Sequence, residues 1–129
     1  MALPKVSVSL SGRVANEQGM GVEGVGVSQP GPALSDASGL YALHGVPGCQ
    51  SVVLTPYRHD NPLNGVTTFD LVKINQHILG QELIVSPYRL IAADANRSGT
   101  ITTFDIVTIR RVILGIDDVF AGNDSWRFV

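Results

Sequence analysis

Cysteine occurs once in the 129 residues, at Cys49, so no disulfide can form within the chain and cysteine usage does not fix its compartment. No helix start or basic neighbour stands beside Cys49 to make a reactive thiolate, and it reads as a small apolar residue next to a turn. No apolar run approaches the roughly 18 residues needed to span a bilayer, so membrane insertion is not expected. The opening "MALPKVSVSL" lacks the charged head, apolar middle and cleavage site of a signal peptide, though a mature piece of a secreted protein stays open. Charge is also scarce, at 16% of residues with a net charge of −2. That leaves no long-range attraction for nucleic acid or anionic surfaces. His44, His59 and His77 lie far apart with no metal spacing and read as structural or solvated. A nucleophile elbow, an HExxH helix, a phosphate-cradling glycine loop and paired catalytic acids are all missing, so neither an enzyme nor a small-molecule substrate is expected. Asp36 in "SDASG" is a turn residue by preference.

From Val6 to about Arg58 the pattern alternates with period two: Val6, Val8 and Leu10; Val25 and Val27; "LYAL" at 40–43; "SVVLT" at 51–55. These read as strands. Between them stand "NEQGMG", "QPGP", "SDASG" and "GVPG", rich in residues that supply turn geometry. Since buried faces must cover each other, the expected architecture for residues 1–58 is a small antiparallel β-sandwich. The stretches "SGRVANEQGMGVEGVGVS", "SDASGLYALHGVPG" and "VVLTPY" resemble the carboxypeptidase-regulatory-like, transthyretin-type β-sandwich of bacterial secreted proteins. That resemblance implies a non-catalytic spacer or binding role. Four strands are evident where comparable immunoglobulin-like sandwiches use about seven. The missing ones would come from "SWRFV" at 125–129 or from a neighbouring molecule by strand addition.

From Asp60 the period changes and the chain repeats itself. "NGVTTFDLVKINQHILG" (64–80) aligns with "SGTITTFDIVTIRRVILG" (98–115) with one gap after the first glycine, and ten of seventeen paired positions are identical, too many for chance. Leu71, Ile74 and Ile78 in one copy, and Ile106, Ile109 and Ile113 in the other, fall at helical spacing. Each copy is therefore a loop and a short helix, closed by Gly80 or Gly115 in a left-handed cap. The connector "QELIVSPYRLIAAD" contains "YRLIAA", for which strand and helix both remain open.

Counting Asp94 as position 1, Asn96 stands at 3, Ser98 at 5, Gly99 at 6, Thr100 at 7 for its carbonyl, Thr102 at 9 and Asp105 at 12. This is the order of a helix-flanked calcium loop, in which a hard cation takes six to eight oxygens and the glycine permits a sharp turn. Ile101 at position 8 would face the core. With neither Cys nor His among the ligands, zinc and copper are disfavoured, and Mg2+ would ask for a stricter, more hydrated octahedron. "TTFD" before an apolar helix is also a capping box, but capping leaves Asp94, Asn96, Ser98 and Gly99 unexplained. In the first copy Asp60, Asn64 and Asp70 match positions 1, 5 and 12, while Pro62 offers no oxygen at position 3 and one residue is missing after Gly65. There a second calcium site, completed by Asn61 or a backbone carbonyl, and a turn whose Asp70 only caps its helix both remain open.

Two tandem copies of D-x-N-x-S-G-x-I-x-x-x-D, each followed by one helix and lacking the helix that precedes an ordinary EF-hand loop, resemble the type I dockerin over about 59–116. The resemblance implies docking to a cohesin domain through Thr103, Phe104, Arg110 and Arg111 in one copy and Thr68, Phe69, Asn75 and Gln76 in its pseudo-symmetric twin. Phe69 and Phe104 stand where dockerins often carry a small hydroxyl, and an aromatic there reads more readily as core between two helices. Arg110 and Arg111 read equally well as a solvated helix face. "NDS" at Asn123 is an N-glycosylation acceptor pattern, as is "NRS" at Asn96, where the side chain would be occupied as a ligand. Trp126 and Phe128 alternate around Arg127 as in a strand.

The expectation is an α+β chain from a bacterial extracellular or cell-surface protein: a β-sandwich (1–58), a dockerin-like domain with Ca2+ (59–118), and a strand (119–129) that packs on the sandwich or on a neighbour. The partner is either a cohesin-like domain or further copies of the chain in a filament or surface layer joined by strand exchange.

Overall fold

The computed structural model describes residues 6–28 and 33–129; the "QPGP" stretch, expected as a turn, and the first five residues lie outside them. The fold is α+β, with strands β1 (Ser7–Arg13), β2 (Gly26–Ser28), β3 (Ala33–Leu34), β4 (Leu40–Pro47) and β5 (Thr55–Tyr57), then helices α1 (Thr68–Ile78), α2 (Pro87–Ala93) and α3 (Thr103–Ile113). The chain divides into two compact units. One ends at Arg58 and includes Phe128, while the other spans His59–Arg127 and includes Val129.

In the first unit β1 pairs antiparallel with β4, and β2 stands between β3 and β5 in a second antiparallel sheet. The register of β1 slips between Val8 and Leu10. A bulge of this kind turns the strand, and Val6 and Val8 are exposed whereas Leu10 packs on the core. Val27 of β2 forms that core with Leu43 and Val46 of β4, joined by Ala33, Tyr41, Val52 and Leu54. The expected strand at 51–55 is displaced to Thr55–Tyr57. Val52 and Leu54 alternate inward and Val53 outward, but their backbones join no ladder, so periodicity reported burial rather than pairing.

One turn device is used twice. Asn16 Oδ1 accepts from the N–H groups of Gln18 (3.0 Å) and Met20 (2.9 Å), and Asp36 Oδ1 accepts from those of Ser38 (2.8 Å) and Leu40 (3.0 Å). A short side-chain acceptor thus replaces a turn carbonyl. Gly19 and Gly39 follow at φ +78°. At Gly39 an added Cβ would also lie 2.1 Å from the Val14 carbonyl oxygen, so both conformation and space demand glycine. Ser35 is buried with its hydroxyl satisfied, accepting from Val25 N–H (2.9 Å) and donating to the Val22 carbonyl (2.7 Å).

In the second unit α1 packs against α3. Ile74, Ala93, Ala95 and Ile109 form the core, with Leu71, Ile78, Ile84, Ile101, Ile106, Ile113 and Phe120 against it. The repeat extends to the helix ends. Gln81 and Glu82 N–H donate to the Gln76 carbonyl at 2.9 and 3.3 Å, and Ile116 and Asp117 N–H donate to the Arg111 carbonyl at 2.9 and 3.3 Å. Gly80 and Gly115 both take φ +67° after the caps. "YRLIAA" lies in helix α2, started by Pro87 and by Ser86, whose Oγ accepts from Arg89 N–H at 3.3 Å. The second loop therefore has an entering helix after all.

No strand forms over 119–129, contrary to expectation. Phe120 packs in the core of the second unit, and Asn123, Ser125 and Arg127 bond within that unit. Among the described residues no helix is long and apolar enough to cross a membrane.

Candidate metal centre

Helix α2 runs straight into the second loop, with Asp94 as its C-cap and Asp94 N–H donating to the Leu90 carbonyl at 3.2 Å. Asp94 is 7% exposed and Asp105 0%. Both carboxylates are turned inward and held by the loop itself. Asp94 Oδ1 accepts from Ser98 N–H and Oδ2 from Gly99 N–H, each at 2.8 Å. Asp105 Oδ1 accepts from Asn96 N–H at 3.2 Å, and its Oδ2 accepts from Thr102 N–H at 2.7 Å. The first and last carboxylates thus fix positions 3, 5, 6 and 9 of the loop. Arg97 (φ 57°) and Gly99 (φ +84°) supply the left-handed turns that curl the chain around them.

The neutral donors converge on the same place. Asn96 Oδ1 accepts from Ser98 N–H at 3.1 Å, and Ser98 Oγ lies 3.4 Å from Asp94 Oδ1, 3.0 Å from the Thr100 carbonyl oxygen and 3.4 Å from Thr100 Oγ1. Asp94, Asn96, Ser98 and Thr100 are therefore one connected group of oxygens, with Asp105 joined to it through Asn96. Thr102 Oγ1 is spent on the helix start, accepting from Phe104 N–H at 3.3 Å and lying 3.4 Å from Asp105 Oδ2. An all-oxygen set around two buried carboxylates fits a hard cation, because buried charge is costly unless paired. The charge is modest. Among the described residues no group of three or more His, Cys, Asp and Glu side chains is gathered for a metal.

The first loop is assembled differently. Asp60 Oδ1 accepts from Asn61 N–H at 2.9 Å, and Asn64 Nδ2 donates to Asp60 Oδ2 at 3.5 Å. Asn61 Oδ1 accepts from Leu63 N–H at 2.9 Å, making a turn where Pro62 leaves no side-chain oxygen. Asp70 Oδ2 accepts from Thr67 N–H at 2.7 Å and Thr67 Oγ1 at 3.1 Å, while Thr67 Oγ1 accepts from Phe69 N–H at 3.2 Å. Asp60 and Asn64 come together, and Asp70 serves the capping box of α1.

The helices expose the same face in both copies. Phe69 is 62% and Phe104 72% exposed, so neither is the core residue expected between the helices. Ile74 and Ile109 fill that role instead. Val72 and Val107, and Leu79 and Leu114, are exposed at equivalent positions, as are Thr68 and Thr103, and Asn75 and Arg110. Lys73 Nζ stands 5.5 Å from the centre of the Phe69 ring. Its counterpart Thr108 instead donates to the Phe104 carbonyl at 2.9 Å, which leaves the second face more open. Arg111 binds Asp117 through two hydrogen bonds, Nε to Oδ2 at 2.7 Å and Nη2 to Oδ1 at 2.8 Å. Those bonds hold the Asp117 carboxyl below its ordinary range and push the Arg111 guanidinium up. Gln76, its twin, has a buried Oε1 with no hydrogen-bond partner.

Three residues beside the loops, Asn123, Ser125 and Arg127, gave no sequence signal for that place; they read instead as a glycosylation pattern and part of a strand. Asn123 Nδ2 donates to the carbonyls of Asp94 (3.3 Å) and Ala95 (3.1 Å). A glycan on that nitrogen would take one of its two hydrogens, so Asn123 could not keep a separate hydrogen for each bond. Comparison of the chain with known protein families, curated proteins and solved structures found no match.

Proposed function

We propose that this chain is a non-catalytic extracellular docking module of bacterial secreted proteins, in which a calcium-stabilised, dockerin-like helix pair captures a cohesin-like protein domain. The observation that carries the reading is the duplicated exposed face: Phe69, Val72 and Leu79 on α1, and Phe104, Val107 and Leu114 on α3. Large apolar side chains left in water at matching positions of a repeat are costly unless something covers them. Each Phe directly precedes the last carboxylate of its loop, Asp70 or Asp105, so loop geometry sets where the face begins. Ca2+ is the ion the second loop suits, through Asp94, Asn96, Ser98, Asp105 and the Thr100 carbonyl, with Thr102 closing the helix. The first loop suits it less, since Asp70 bonds only to Thr67 among the described contacts, whereas Asp105 caps its helix and also reaches Asn96 in the loop. The first unit reads as a small, incomplete β-sandwich of the regulatory-like type, because side chains from both of its sheets share one core.

Immobilised protein tests this directly. It should retain one cohesin-like domain from secreted extract in calcium, and the double variant Phe69→Ser, Phe104→Ser should retain none while melting at the same temperature. Equal capture by the variant would refute the assignment of the face.

A second reading has its own observation. Sheet β1–β4 has only two strands among the described residues, and Val6 and Val8 lie exposed at its start. Open edges pair with other chains, so a subunit that self-assembles by strand exchange fits the first unit. It predicts self-association at micromolar concentration that is lost when residues 1–10 are removed. A docking module stays monomeric.

A further inference from the structure

The chain after α3 returns to the start of both loops. Ser125 Oγ accepts from Asp60 N–H at 3.2 Å, at position 1 of the first loop. Asn123 holds the carbonyls of Asp94 and Ala95, at positions 1 and 2 of the second. Arg127 Nη1 donates to the Ile91 carbonyl at 3.4 Å and lies 4.0 Å from Asp94 Oδ2. The Asp94 side chain is almost fully enclosed and that of Arg127 mostly so, which limits screening by water and salt. At 4.0 Å the guanidinium makes no close fork with the carboxylate. The Ile91 carbonyl of helix α2 helps hold it as a fixed charge beside the first ligand of the loop.

We propose that Arg127 is a positioning residue that sets the divalent-cation affinity of the Asp94 loop: a resident positive charge that opposes a second cation electrostatically, held in place by the 123–127 segment. This rests on the calcium reading of that loop. Coulomb repulsion at short range in a partly enclosed site is substantial, and nothing about Arg127 makes it a ligand, since a guanidinium has no lone pair to offer. Its effect therefore has one sign. Removing the charge strengthens cation binding, and keeping it on a different side chain preserves the wild-type value. Because the charges are close and enclosed, the gain persists as salt rises.

The test is calorimetric titration of the full chain with CaCl2 at 20 and 300 mM NaCl, for wild type, Arg127→Lys and Arg127→Gln. Arg127→Gln should bind calcium about three- to tenfold more tightly than wild type at both salt concentrations. Arg127→Lys should stay within about twofold of wild type, since it keeps the charge. Gln binding equal to or weaker than wild type overturns the proposal while leaving the calcium site standing. No binding by wild type overturns both. If Arg127→Gln does not fold, wild type alone still decides the matter by NMR. The Arg127 Nε–H resonance should move as the loop fills with calcium, and a resonance that stays still to saturation overturns the proposal.

Discussion

Calcium should raise the melting temperature of the second unit, and the size of the rise can be set from the loop. Asp94 and Asp105 are its two carboxylates, and their remaining company is neutral oxygen plus the opposing Arg127. Few charges put such a loop in the weak class of extracellular modules, with Kd of about 10⁻⁴ to 10⁻³ M. At 10 mM calcium the loop is then at roughly 10 to 100 times Kd, and binding to the folded state alone stabilises it by about 1.4 to 2.7 kcal/mol. For a unit of this size each kcal/mol moves the midpoint by about 4–8 °C. Scanning calorimetry in 10 mM CaCl2 against EDTA should thus show a rise of about 5–20 °C. Asp94→Ala should remove most of that rise. It also strips the acceptor from Ser98 and Gly99 N–H. Ser98 N–H keeps Asn96 Oδ1 but both lost bonds are part-buried, so stability in EDTA should fall by about 1–3 kcal/mol. A wild-type melt indifferent to calcium would refute the metal argument. A full calcium rise retained by Asp94→Ala would refute the ligand assignment.

Three further outcomes follow from the same geometry. Asp60→Asn should leave most of the calcium-dependent rise intact in the same scan, because Pro62 offers no side-chain oxygen at position 3 and Asp70 bonds only to Thr67 among the described contacts. Ile109→Ala, at a core position between the loops and helices, should cost about 2–5 kcal/mol in urea unfolding, whereas exposed Phe104→Ala should stay within about 0.5 kcal/mol. The Asp117 carboxyl should titrate by NMR below the ordinary aspartate range, and Arg111→Ala should bring it back. The sign follows from that depression: this pair adds to stability above the unfolded pKa and loses it as pH falls through the folded one. Exposure of about a third to a half of each side chain to water keeps the contribution small.

The repeat was the part of the sequence that could be read furthest, because loop chemistry and helical period are local. Asp94 to Gly99, the capping boxes at Thr67 and Thr102, and the closing glycines are all properties of short stretches, and each has the expected local geometry. What failed was long-range. "SVVLT" alternates because Val52 and Leu54 are buried, yet ladder pairing depends on what lies beside the backbone, and β5 begins only at Thr55. Phe69 and Phe104 were assigned to the core by size, but the register of the helices had already given that place to Ile74 and Ile109. Helix α2 did carry its Ser-Pro start signal, although seven residues are too few for a period to declare itself. The role of 123–127 had no local signature, since its polar groups find partners 28 to 65 residues away.

These differences alter how the two faces would be controlled. Asp105 is tied at once to Asn96 N–H in the loop and to Thr102 N–H at the start of α3, and Phe104 is its immediate neighbour. On the calcium reading, neutralising Asp94 and Asp105 fixes the junction from which the α3 face projects. Asp70 bonds only to Thr67 among the described contacts, so the α1 face is set by a cap that needs no cation. On that reading the α1 face rests on its cap alone, and the α3 face on the same kind of cap with a loop bond behind it that calcium would brace. The two equivalent surfaces would then differ in how firmly calcium braces them.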